Sequence, residues 1–529
     1  MKFLFLIGPL LLAALYGALL PLHIQGGDTA ELVTASFFKF VPHPPGYPLF
    51  LWLEHGWTHL FEVSTIFWRA SLLSAIFGLS ALSLIIYPLR QSYLFLIPCF
   101  LLGLNQEFLE SSVLPDVFSL HALMVSAFGF VYLFVKDSRR FFLVPFLFML
   151  SAANHHTTIL LVPSLAICFW EGIKAKELKH LISGSVVGGV LTAGLYLSLF
   201  LCGPGHFLSW GNLTDFGSLI SHFLRVDYGT FQLSSTTSGG VLDAFVFFLK
   251  TFIPFVPLLV FSVVRLVKES RFNLQLIGWA GSIILTLIFP LIMNVSPEMM
   301  GAEVLKRFHV MPLVLVMFLF VYALRNFQLT KKNAGLFFLM LLPVLTMNVS
   351  HLPSNFGLRN DSVIEDYSRT IYQEALKHQP VIVMADNDSS YFGIRTIQAF
   401  EGNDSDKVFV MTAPLLFNKW YPSKISKKIP EFVLPGFEKI VNQRELNIAE
   451  DLVVPNLEKI HLITTKDYKT GEGYKVTFMK LGRLVEKGNG IHFDPEERVN
   501  LTPPAFSGPQ AYTKGYLFYQ YSHYYFARG

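Results

Sequence analysis

Two carboxylates, Asp28 and Glu31, stand one helical turn apart, directly after an apolar stretch (residues 3–22) long enough to cross a membrane. A carboxylate held at a membrane surface can take a proton from a hydroxyl and so act as a general base. Spacing alone does not choose between the two acids. Just beyond them, Pro42, Pro44, Pro45 and Pro48 hold His43 and Tyr47 in a stiff loop, because each ring fixes φ and restricts the residue before it. The stretch 26–48 therefore reads as the active-site loop of a membrane enzyme. Further polar candidates follow along the chain: Asp116, the neighbours His155 and His156, Trp210, His222, Arg225, Tyr228 and Arg307. Blander roles compete. Asp28-Thr-Ala-Glu31 fits a capping box, and Asp116 fits the N-cap of the apolar segment that begins at Val117. No metal site is expected, since His155 and His156 lack the i, i+4 spacing that puts two ligands on one helix face. Asp386-Asn-Asp388 opens like a calcium loop, but Ile397 occupies the position where a bidentate acid belongs.

These residues need a scaffold, and the composition says which kind. Of 529 residues, 52% are hydrophobic and only 15% charged, against about a quarter charged in soluble domains. Apolar segments near 3–22, 70–88, 92–105, 117–135, 141–153, 157–170, 181–202, 241–264, 273–293, 308–325 and 334–349 predict about eleven transmembrane helices. The first is read as a retained helix, being long for a signal sequence and without a clear cleavage site. Basic residues sort by side. With the N-terminus inside, the inner loops carry Arg90, then Lys136, Arg139 and Arg140, then Lys174, Lys176 and Lys179, then Arg265, Lys268 and Arg271, and last Arg325, Lys331 and Lys332. The candidate residues all fall on the opposite, outer loops. The first of these, residues 23–69, also holds an amphipathic segment, Pro48 to Phe61, suited to lying in the interface.

Residues 1–350 thus read as a transmembrane catalytic domain and 351–529 as a soluble α/β domain on the outer side. In the latter, Val381–Ala385, Val408–Met411 and Ile460–Thr464 read as strands and Ser362–Lys377 as a helix. The aromatic tail from Tyr516 to Phe526 is expected to pack on that domain or on the bilayer. Cys99, Cys168 and Cys202 give no disulfide framework. A net charge of +4, sorted by membrane side, excludes a nucleic-acid partner.

Gly26-Gly-Asp-Thr-Ala-Glu-Leu32 followed by Val41-Pro-His-Pro-Pro-Gly-Tyr-Pro-Leu49 resembles the opening signature of a family of protein O-mannosyltransferases. Its animal member acts on the IPT domains of plexin-type receptors, and it has bacterial relatives. Leu114-Pro-Asp116-Val-Phe-Ser-Leu-His121 resembles a second family segment, with Asp116 in the place of a Glu. Asn154-His155-His156-Thr157 resembles its Asn-His stretch. Trp210-Gly-Asn212 with His222, Arg225 and Tyr228-Gly229 resembles its Trp-Gly-Asp block, with Asn212 in the place of the Asp. Val381 to Asp388 resembles the strand and turn that open its outer domain.

The resemblance implies the GT-C glycosyltransferase fold. It implies transfer of a hexose, mannose in the family, from a polyprenyl- or dolichyl-phosphate carrier to Ser or Thr hydroxyls of extracytoplasmic proteins, with no tightly bound cofactor. Asp28 is then the base, and Glu31 orients it or the acceptor. Arg307, Arg225, His155 and His156 meet the donor phosphate, since a leaving phosphate needs charge and hydrogen-bond donors more than a strong acid. His43, Tyr47, Asp116, Trp210, His222 and Tyr228 shape the sugar and acceptor pocket. Inversion is expected, because no second carboxylate stands ready as a nucleophile. The alternatives are a glycolipid or cell-surface polysaccharide as acceptor, or a transporter; the last is disfavoured because the charged candidates cluster at one surface. The cysteine-free outer domain favours a bacterial inner membrane over the endoplasmic reticulum.

Overall fold

The computed structural model describes residues 4–203, 206–228, 241–271, 273–293, 295, 300–401, 407–418, 420–436, 449–457, 459–465, 474–478, 481, 483–487 and 490–493. The aromatic tail and all of Gly229 to Gly240 lie outside them. The chain divides into two compact units. One comprises 1–21, 44–201 and 215–359; the other comprises 22–43, 202–214 and 360–529. This differs from a linear division near residue 350. Two segments that the sequence reading places in outer loops, 22–43 and 202–214, group with the C-terminal part of the chain.

The first unit is helical, and every apolar segment marked in the sequence within the described residues forms a helix. Among the described residues, eight helices are long and apolar enough to cross a membrane, from Ile66–Leu89 to Lys331–His351. Ile7–Leu19, Tyr93–Gly103 and Arg139–Ala152 are shorter than a full crossing. Local chemistry sets the ends and breaks. Thr65 caps helix Ile66–Ile86 by accepting from the Trp68 amide at 3.2 Å. Pro254 and Pro257 interrupt the run 241–268 with a short 3-10 turn, Ile253–Phe255.

Every residue of helix Val310–Leu324 is buried, so this helix forms the centre of the unit. Helix Lys331–His351 instead exposes Leu336, Phe338, Leu339 and Leu342, the surface that lipid would cover. Lipid tails give no hydrophobic drive for helix pairing, so close packing and buried hydrogen bonds hold such helices together. Gly184 and Gly188 let helix Leu178–Leu197 lie against helix Arg139–Ala152; a Cβ on Gly184 would come within 2.1 Å of the Phe142 carbonyl oxygen. Trp279 Nε1 donates to the Leu315 carbonyl at 2.9 Å, and Tyr132 Oη donates to the Gln275 carbonyl at 2.9 Å.

The second unit contains a six-stranded mixed sheet. Its strands are β1 (Val381–Ala385), β2 (Val408–Thr412), β3 (His461–Thr464), β4 (Tyr474–Phe478), β5 (Arg483–Lys487) and β6 (Gly490–Phe493), in the order β2-β1-β3-β5-β4-β6. β1 pairs parallel with β2 and β3, while β5 pairs antiparallel with β3 and β4. β1 and β2 are buried throughout, which is why both read as continuous apolar runs. The Asp386-Asn387-Asp388 turn is structural. Asn387 caps helix Asp388–Phe400 in a capping box with Ser390, and Asp386 Oδ1 accepts from Thr465 Oγ1 at 2.9 Å. Helix Asp28–Phe38 packs on helix Asp388–Phe400 through Thr34 and Thr396, whose hydroxyls meet at 2.7 Å.

Candidate functional site

Asp28 and Glu31 lie in the first turn of helix Asp28–Phe38, the end that favours negative charge. The capping-box reading does not hold. Gly27, at φ 63°, is the N-cap and has no side chain to cap with, and Asp28 is already helical. Glu31 is turned elsewhere. Its Oε1 accepts from the His43 amide at 2.9 Å, and its Oε2 bonds the His43 ring through Nδ1. One carboxylate thus grips both the backbone and the side chain of the proline-flanked histidine. Both side chains are nearly enclosed, each about one-tenth exposed.

The His43 ring stands edge-on to Trp210, with centroids 6.2 Å apart, and Trp210 lies 5.7 Å from Trp420. The Trp210 backbone is pinned from two sides: its amide donates to the Val41 carbonyl at 2.7 Å, and Lys424 Nζ donates to the flanking carbonyls of Ser209 at 2.5 Å and Gly211 at 3.2 Å. Burial, and then the positive charge of Arg395, hold the Lys424 ammonium down to about 7. Arg395 donates to the Tyr391 hydroxyl and to the Phe207 carbonyl. A small cleft lies between Glu31 and Arg395, walled by Phe40, Val41, Leu208 and Phe392. Sequence reasoning missed Arg395 and Lys424. A lone Lys or Arg in the polar part of a chain carries no spacing signal, and only the fold shows that its neighbours are buried.

The first unit holds the other candidates. Asp116 occupies the N-cap position of helix Val117–Phe134, yet its side chain makes no capping bond. It faces Arg307 instead, with Oδ2 3.8 Å from Nη1, an ion-pair distance rather than a hydrogen bond. Ionisable groups near lipid are generally paired in this way. A second buried couple, Glu107 and His309, meets at 3.9 Å, and burial pushes the Glu107 carboxyl up. The adjacent histidines part company. His155 stacks on Tyr47 at 6.0 Å and touches Phe118, while His156 reaches Tyr196 Oη at 3.3 Å and the Phe223 ring. They do not present one joint surface. Arg225, at φ 56°, lies over the Tyr228 ring at 5.1 Å, and His222 is buried beside Gly46. Among the described residues no group of three or more His, Cys, Asp or Glu could hold a metal ion.

Architecture and apolar helices define the class first: an integral, multi-pass membrane protein with the GT-C fold. The chain is similar in structure to ArnT from Cupriavidus metallidurans bound to undecaprenyl phosphate, at a TM-score of 0.55 and 13% identity, covering 91% of this chain and 97% of that one. The apo state of that protein gives a TM-score of 0.53 at 14% identity, covering 90% and 97%. At these identities the likeness is one of fold.

The particular resemblance comes from sequence. Residues 28–93 match the model of the protein O-mannosyl-transferase TMEM260 N-terminal domain. Over 459 residues the chain is 26% identical to protein O-mannosyl-transferase TMEM260 of Mus musculus, covering 80% of this chain and 64% of the relative. Over 255 residues it is 27% identical to protein O-mannosyl-transferase tmem260 of Dictyostelium discoideum, covering 42% and 30%. The chain spans less than two thirds of the length of these relatives. The resemblance to the O-mannosyltransferase family read from the first loop is borne out.

Proposed function

We propose that this chain is an inverting membrane glycosyltransferase that moves a hexose, mannose, from a polyprenyl- or dolichyl-phosphate carrier to Ser or Thr hydroxyls of proteins on the outer side of its membrane. The observation that carries this reading is the match that begins at Asp28 and runs through the first loop. The division of labour between the two acids supports it. Glu31 is engaged by His43, which suits a positioning role, and Asp28 heads the helix as a half-buried carboxylate. The apolar helices and the GT-C fold suit a lipid-linked donor.

In the proposed reaction Asp28 takes the proton of the acceptor hydroxyl as its oxygen bonds to the anomeric carbon. The bond from that carbon to the phosphate oxygen breaks, and the lipid phosphate leaves with the electron pair. Arg307 is the main candidate to meet that phosphate, because a guanidinium offers five N–H donors in a fork that matches it. Arg225 is the second. His43, Trp210 and Tyr47 are candidates to offer ring surfaces to the sugar, and His222, Tyr228 and Asp116 are further candidates for contact with sugar or acceptor.

The test is transfer of labelled mannose from polyprenyl-phosphate mannose by the purified protein in nanodiscs. Outer-surface proteins, glycolipids and polysaccharide are supplied as separate acceptors. Label on protein Ser or Thr is the expected result. Label on lipid or polysaccharide alone would overturn the acceptor, and donor movement across the bilayer without transfer would overturn the enzyme.

A further inference from the structure

Resting on that reading, we propose that His121 and Thr157 are positioning residues: they fix His155 in one tautomer, so that its Nε2–H donates a hydrogen bond to the donor phosphate without contributing a charge. Three buried side chains form a hydrogen-bonded chain whose directions can be assigned one by one. The Thr157 backbone N–H lies 3.3 Å from His155 Nδ1. A backbone amide can only donate, so Nδ1 holds a lone pair and the ring proton sits on Nε2. Thr157 Oγ1 is 2.7 Å from the same Nδ1, so its hydroxyl donates there as well. Its oxygen is then left to accept, and His121 Nε2, 3.0 Å away, donates to it. Each direction is forced by the one before it. The chain runs from His121 Nε2–H to Thr157 Oγ–H to His155 Nδ1. His121 Nδ1, an acceptor in this arrangement, has no hydrogen-bond partner among the described residues.

All three residues are buried, and the His155 ring is held between Tyr47, Phe118 and Phe308. A positive charge on His155 would put a proton on Nδ1, directly against the Thr157 amide. The ring is therefore built to stay neutral and to present a donor. Phe308, whose ring centroid lies 5.9 Å from that of His155, follows Arg307 in the chain, and the proposed site would pair a neutral donor with a guanidinium. That pairing suits a phosphate oxygen, with the charge supplied by arginine and the direction by imidazole. His156, turned toward Tyr196, takes no part.

The experiment uses full-length protein in nanodiscs with ¹⁵N-labelled histidine. There are 16 histidines, so the His155 signals are those that vanish in His155→Gln. The expected spectrum shows a protonated Nε2 and an unprotonated Nδ1 for His155. Thr157→Val should shift both the His155 and His121 signals and lower the transfer rate about tenfold with donor KM changed less, while Thr157→Ser restores both. His155→Gln, which keeps an N–H near the Nε2 position, should retain more activity than His155→Asn. A protonated Nδ1 in the wild type, or unchanged His155 signals in Thr157→Val, would overturn the proposal. If no acceptor is labelled, the proposed function fails, yet the spectrum still decides the tautomer.

Discussion

Two carboxylates in different units are used in opposite ways. Glu31 is held at hydrogen-bond distance by the His43 amide and ring, so its contribution is geometric: it ties a proline-stiffened loop to the helix that carries Asp28. Asp116 stands 3.8 Å from Arg307, too far for a good hydrogen bond but close enough for charge to matter where the dielectric is low. Its contribution is electrostatic. The comparison teaches that a candidate acid need not react. One can position, another can balance a cation, and only the remaining one, Asp28, is assigned to proton transfer.

Breaking the electrostatic half should have the larger effect. Arg307→Met is expected to lower transfer about 100-fold, because it removes a charged donor from the phosphate and leaves Asp116 without that partner. Steady-state kinetics with varied donor would show it, and a loss of less than threefold would count against the assignment. The geometric half predicts a milder response: Glu31→Gln keeps an oxygen for the His43 amide and should cost about tenfold.

The scaffold offers a sharper contrast at neighbouring glycines. Gly184→Leu should destabilise the protein by about 1–3 kcal/mol through overpacking against Phe142. Gly189→Ala, which meets nothing within 4 Å, should be neutral or slightly stabilising; thermal unfolding in detergent compares the two. A pH-dependent effect concerns Lys424. Its ammonium titrates near 7 when folded and well above that when unfolded, so the unfolded chain binds more protons between those values. Stability should therefore rise with pH above about 7, and Lys424→Met should flatten that slope.

Much of this was legible in the sequence because its signals are local. Apolar runs located the helices, continuous Val- and Ile-rich stretches located β1 to β3, and the first-loop signature carried the family resemblance. What was not legible depends on long-range closure. Thr34 meeting Thr396, or Lys424 meeting Ser209, joins residues with no shared pattern. The capping box failed for a local reason of a different kind. Gly27, free to adopt positive φ, took the cap and released Glu31 to His43. The two histidines divide because His155 is the N-cap of the 3-10 helix that begins at His156, and their rings meet different neighbours.

The most direct test of the central claim compares single-turnover transfer by Asp28→Asn and Glu31→Gln with donor already bound, each variant first checked for folding and donor affinity. The account predicts that Asp28→Asn binds donor normally but loses at least about 100-fold in the transfer step, far more than Glu31→Gln. An Asp28→Asn variant that transfers as fast as Glu31→Gln, or faster, would contradict the assignment of the base.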